Sequence, residues 1–124
     1  MIKESYVSFE TAKMLKEAGF DVPCTSQYTD NGFGWDNLSR VNYNSCKSLF
    51  SRPTQALAAR WLREVYKLHV FAKRTYEYAL DKFSWGYYIQ SSNYEYCKNF
   101  EIGFDSYEQA IEDGLREAIK LIKK

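Results

Sequence analysis

Apolar residues recur along this chain with two different periods, one helical and one alternating. Over Ser8–Ala18, Ala12, Leu15 and Ala18 fall on one side of a helix with Met14 at the flank. Ser8 is a good N-cap and Gly19 a left-handed stop, and Phe20 follows where a hydrophobic contact closes the cap. Over Thr54–Lys67, Leu57, Trp61, Val65 and Leu68 repeat at helical spacing behind an entry made by Ser51, Pro53 and Thr54. Over Ser106–Ile122, Tyr107, Ala110, Ile111, Leu115, Ala118, Ile119 and Ile122 form a third stripe, and Ser106-Tyr107-Glu108-Gln109 fits a capping box. Ala110, Gly114 and Ala118 line up within that stripe. A mid-helix glycine costs about 1 kcal/mol against alanine, so close packing on the protein's own sheet is expected to compensate at Gly114; a dimer contact is the sharper reading.

The alternating period predicts strands. His69–Tyr78 and Trp85–Ser91 read as a hairpin with an uncertain register, because residues 79–84 are longer than a tight turn. Tyr94–Gly103 reads as a third strand, with Tyr94, Tyr96, Phe100 and Ile102 sharing one parity. Residues 24–50 are polar and carry weak periodicity. Asp30-Asn31-Gly32 signals a turn between strands at about 24–30 and 33–37, Val41–Tyr43 adds a short strand, and 36–50 is open to disorder or to use as a partner-binding loop. The expected fold is α+β in a single domain over 1–124: a small antiparallel sheet covered by two or three amphipathic helices. Helices 54–67 and 106–122 should lie on one face and bury Trp61, Val65, Ile111, Leu115 and Ile119.

Composition adds three points. Aromatic residues are abundant at 18%, so some rings must reach the surface. Net charge is only +1, which argues against a duplex-DNA binder dominated by electrostatics, yet residues 51–82 carry seven basic against three acidic side chains. No apolar run approaches the roughly 20 residues of a membrane span. No export signal is visible, and the three cysteines, Cys24, Cys46 and Cys97, are odd in number and dispersed. Free thiols in a reducing cytoplasm are expected, with no metal and no cofactor. A zinc site could be composed only from those cysteines and His69, without paired ligand spacing.

Three segments carry a resemblance: Tyr6–Glu10 through Gly19–Cys24, Pro53–Leu57 through Arg60–Val65, and Ser106–Ala110 through Gly114-Leu115. They resemble a set of small uncharacterised phage and prophage proteins of gut Bacteroides-type bacteria. The resemblance implies a phage-derived, cytoplasmic protein and transfers no catalytic residue.

Catalytic motifs are absent: there is no GxSxG, HExxH, Walker loop or GxGxxG. The expected function is a non-catalytic accessory or interaction protein, its partner either another protein or single-stranded nucleic acid, with homo-oligomerisation left open. The alternative is a small hydrolase or transferase with a site around Cys24, Asp30 or His69. For nucleic acid, Arg60, Arg63 and Lys67 share one helix face and would meet phosphates, with Tyr76, Tyr87, Tyr88 and Tyr94 supplying stacking faces. The competing reading is a solvated basic face, with pairing to Glu64 or Asp81, and tyrosines that simply pack a small sheet.

Overall fold

The computed structural model describes residues 4–91 and 97–122, and the side chains of 97–101 lie outside that description. In chain order the elements are α1 (Phe9–Glu17), β1 (Cys24–Thr29), β2 (Gly34–Val41), a 3-10 turn (Tyr43–Ser45), β3 (Leu49–Ser51), α2 (Gln55–Val65), β4 (Leu68–Glu77), β5 (Lys82–Ser91), β6 (Cys97–Phe104) and α3 (Tyr107–Ile122). The class is α+β, with two antiparallel three-stranded sheets in place of one. The first has the order β2-β1-β3, the second β4-β5-β6. After the 3-10 turn the chain folds back onto β1, so both hydrogen-bonding edges of β1 are occupied. The chain then leaves into α2 and starts a new sheet.

Local chemistry accounts for the helices. Ser8 Oγ accepts from Thr11 N–H, 3.2 Å, and Thr54 Oγ1 from Leu57 N–H, 3.1 Å, which satisfies one orphan donor at each start. Ser106 Oγ accepts from Gln109 N–H, 3.1 Å, and Gln109 Oε1 from Asp105 N–H, 3.1 Å. Gly19 takes φ +94°, and Phe20 closes the cap by donating its N–H to Leu15 O and packing edge-on to Trp61, 5.2 Å between centroids.

The polar stretch 42–51 folds through side-chain-to-backbone bonds. Asn42 Oδ1 caps the 3-10 turn through Asn44 N–H. Asn44 bridges outward, donating to Phe20 O at 2.8 Å and accepting from Ser51 N–H at 2.8 Å. The Lys16 ammonium reaches across from α1 and donates to the carbonyls of Cys46, Lys47 and Leu49 at 2.6, 3.2 and 2.7 Å. Val41–Tyr43 is therefore not a separate strand: Val41 ends the longer β2, and Tyr43 starts the turn. The partner-binding loop expected within 36–50 is mostly ordered into β2, this turn and β3.

α2 and α3 pack on each other and on one face of the second sheet, as expected. Trp61, Ile111, Leu115 and Ile119 are buried, but Val65 is 55% exposed. α2 ends there, and the Tyr66 ring takes over the covering role, edge-on to Trp61 at 5.3 Å with its hydroxyl on Ala18 O. Lys67, at φ 60°, then turns the chain directly into β4. α3 approaches the sheet closely at Gly114, where a Cβ would lie 2.7 Å from Val70 Cγ1 and 3.1 Å from Tyr87 Cδ1. Packing on the protein's own sheet thus accounts for that glycine.

One carboxylate joins the helix starts. Glu112 accepts from Ser8 N–H, 2.9 Å, from the Thr11 hydroxyl, and from Gln55 Nε2, 2.9 Å. Its side chain is nearly buried, with the Arg116 guanidinium 3.9 Å away.

Candidate functional site

The two faces of the second sheet differ. Strand alternation sends Leu68, Val70 and Ala72 of β4, with Tyr87 and Ile89 of β5, toward the helices and into the core. The opposite face carries His69, Phe71 and Lys73 of β4 beside Tyr88 and Gln90 of β5. Phe71 stands directly across from Tyr88, and His69 from Gln90. The His69 and Phe71 rings are nearly parallel, with centroids 5.9 Å apart and planes 7° apart. Phe71 is 46% exposed. Phe71, Ala72, Lys73, Tyr88 and Gln90 line a shallow depression of about 500 Å³ that holds, among the described residues, one cation and no carboxylate. Further along the same face, Glu77 lies across from Lys82.

This surface is not the one composed from the sequence. Arg60, Arg63 and Lys67 are exposed, but α2 packs on the other side of the sheet from Tyr88. Arg60 is engaged with Glu64 at 2.7 Å, and Lys67 Nζ donates to Glu64 O. Arg63 faces a cleft of about 460 Å³ between α2 and α3, together with Glu4, Gln55 and Glu108. Tyr87 is 1% exposed and wedged under Gly114, so it offers no stacking face. Tyr76 sits on the helix side at the far end of the hairpin, where its hydroxyl donates to Asp81 and its ring meets Tyr78 and Phe83. Tyr94 lies outside the described residues. Of the six expected binding residues that are described, only Tyr88 lies on the open aromatic face. The sequence reading missed Phe71 and Lys73. Strand parity was the available signal: adjacent residues such as Tyr87 and Tyr88 must point to opposite faces, and the aliphatic series 68, 70, 72 marks the inner one.

The residues of the enzyme alternative are dispersed. Cys24 begins β1 and is buried, and burial pushes its thiol up to about 11, against partial relief from a Ser51 hydrogen bond and the Arg40 charge. It forms part of a cleft of about 340 Å³ with Tyr6, Arg40 and Arg52. Asp30 is exposed in the turn at the other end of β1, and His69 belongs to the second sheet. Cys46 is exposed, and hydrogen bonding from Ser48 lowers its thiol below the ordinary value. Among the described residues no group of three His, Cys, Asp or Glu side chains gathers as a metal site, and the Cys97 side chain lies outside them. No helix among them is long and apolar enough to cross a membrane.

A second ordered cation is Arg52. Its guanidinium lies between the rings of Tyr6 and Tyr28, at 4.2 and 5.0 Å from their centroids, and donates to Ser26 Oγ at 3.3 Å. Gly34 lies opposite it, where a Cβ would fall 2.7 Å from Nη1 and push the guanidinium aside. No protein-family model, curated protein or solved structure matches this chain.

Proposed function

We propose that this protein is a non-catalytic interaction module that holds single-stranded nucleic acid on the open face of β4 and β5. The observation that carries the reading is the placement of Phe71 across from Tyr88, with His69 stacked on Phe71 and Lys73 beside them in a shallow depression. An antiparallel sheet backed by helices presents rings as a flat platform, and unstacked bases lie on such platforms with little sequence preference. A lysine beside the rings suits the phosphate backbone. The phage-like resemblance of three segments and two free thiols suit a phage-derived protein working in a reducing cytoplasm.

The test is fluorescence anisotropy with short labelled single-stranded oligonucleotides at low salt. Phe71→Ala and Tyr88→Ala are each expected to weaken binding by about 1–3 kcal/mol, the worth of one base stack. Lys73→Ala should flatten the log–log salt dependence by about 0.7, one phosphate's share. Arg60→Ala and Arg63→Ala should leave binding unchanged, because that helix face is turned away. No binding at roughly 100 μM protein, weaker than ordinary non-specific contact, sinks the proposal. Equal losses from the α2 variants would return the site to the helix.

A further inference from the structure

The cleft at the start of β1 has no part in the open face of the second sheet, and two arginines reach it from different elements. Arg52 follows β3, and its backbone N–H donates to Ser26 O at 3.0 Å. The Tyr6 and Tyr28 rings fix its guanidinium between them. Tyr28 is itself anchored: its hydroxyl donates to Val7 O at 2.6 Å and its ring packs on Phe9. A guanidinium carries five N–H donors. Here Nη1 makes one long bond, to Ser26 Oγ at 3.3 Å, and Nε is buried without a partner. Asp36 stands 3.9 Å from Nη1 and is itself largely exposed, whereas the Arg52 side chain is only 24% exposed. A fixed positive charge with spare donors is thus held away from bulk water, a costly arrangement that an anion would relieve.

Arg40 arrives through the irregular part of β2. Asp36 pairs with Ser26 and Val41 with Cys24, so residues 37–40 form a four-residue excursion opposite Thr25. Irregularities of this kind re-aim side chains. The base of the excursion is held by the Tyr43 hydroxyl, which accepts from Asn37 Nδ2 at 3.0 Å and donates to Ser39 O at 3.4 Å. Arg40 is its last residue, lines the cleft beside Cys24 and Arg52, and has no ion pair among the described residues. Glu4 is the one carboxylate among the described lining residues, and it is exposed. The cleft, about 340 Å³, extends past the two cations to Pro23, Pro53 and Leu57. We propose that it binds a small organic phosphate monoester, with Arg40 and Arg52 each offering a fork to the terminal oxygens and the organic part lying against those three apolar residues. A carboxylate has two oxygens, which one fork fills; a phosphate dianion has three terminal oxygens and uses both.

Isothermal titration calorimetry of the full chain with phenyl phosphate as the probe should show one saturable site with Kd below about 1 mM. Inorganic phosphate should compete for it more weakly, and benzoate should bind at least about tenfold more weakly than phenyl phosphate. Arg40→Gln should weaken phenyl phosphate binding by about tenfold, the worth of one charge-assisted contact. It should leave the melting temperature unchanged, because Arg40 is exposed and no ion pair among the described residues rests on it. Arg52→Lys keeps a cation between the two rings but removes the fork, and should weaken binding by a similar factor. Phe71→Ala should leave phenyl phosphate binding unchanged, which separates this cleft from the open face of β4 and β5. No saturable heat up to roughly 10 mM phenyl phosphate, equal binding of benzoate, or an unchanged affinity in Arg40→Gln overturns the proposal.

Discussion

Replacing Gly114 by alanine pits two effects of opposite sign against each other. In a helix interior alanine is worth about 1 kcal/mol over glycine, so a surface glycine replaced this way would stabilise the protein. At Gly114 the new Cβ lies 2.7 Å from Val70 Cγ1 and 3.1–3.2 Å from the Tyr87 ring, well inside the ~3.5–4.0 Å of a normal carbon contact. Neither neighbour yields easily. Val70 is β-branched and restricted at χ1, and Tyr87 is buried and packs against Phe104. Overpacking of this kind costs about 1–3 kcal/mol, so Gly114→Ala should destabilise by about 1 kcal/mol net, or about 3–5 °C in melting temperature. Urea unfolding with unchanged slope is the assay. The Val70→Ala background supplies the control, because removing Cγ1 should make Gly114→Ala neutral or stabilising. A gain near 1 kcal/mol in the wild-type background, or no coupling between the two positions, would refute the close approach of α3 to its own sheet.

Three further outcomes follow from the packing. Glu112→Ala leaves the Ser8 N–H and Gln55 Nε2 donors without their carboxylate and should cost about 3 kcal/mol in urea unfolding, given ~1.5–3 kcal/mol per charge-assisted bond; a loss below about 0.5 kcal/mol would mean that the carboxylate holds nothing. Lys16→Met should keep α1 but release 46–49, seen as faster amide hydrogen exchange confined to that segment and β3; unchanged exchange would show the three carbonyl contacts to be idle. Cys24 should resist alkylation while Cys46 reacts. Because the Cys24 thiol titrates at about 11 in the folded chain against an ordinary 9.0, its contribution to stability is fully present below pH 9 and lost as pH rises from 9 to 11. Cys24→Ala should therefore lose less stability than wild type across that window, and parallel pH curves would count against the burial.

The helices were legible because their apolar stripes are regular and their caps are local: Ser8, Thr54 and Ser106 each do what their sequence position suggests. Val65 shows the limit of the stripe, since periodicity does not tell where a helix overhangs its support. The segment 42–51 was illegible for a different reason. Asn42, Asn44 and Lys16 fold it through bonds to distant carbonyls and amides, and such bonds leave no period in the sequence. The division into two sheets depends on β3, three residues long, whose pairing with β1 rests on backbone groups that every residue carries. The sheet divides the described residues of the expected site. Arg60 is exposed and Tyr88 half-buried, but the sheet lies between them, and composition contains no information about which side of a sheet a helix will take. Tyr76 and Tyr87 went to packing and a buried wedge, as the plainer reading of the tyrosines had it.

The Glu112 carboxylate has a consequence for the order in which the chain can acquire its structure. Ser8 and Glu112 are 104 residues apart, yet the start of α1 is tied to that carboxylate. A nine-residue helix has little stability of its own in water, and the start of α1 gains this carboxylate only when α3 has been synthesised and has docked. An element that precedes α2 and α3 in the chain is thus among the last to be secured, and contacts of such long separation slow the final step of folding. Until then the side of α1 that packs toward α3 lacks its native cover. Chains arrested before α3 should accordingly be sensitive to proteolysis near the start of α1 as well as at the truncation.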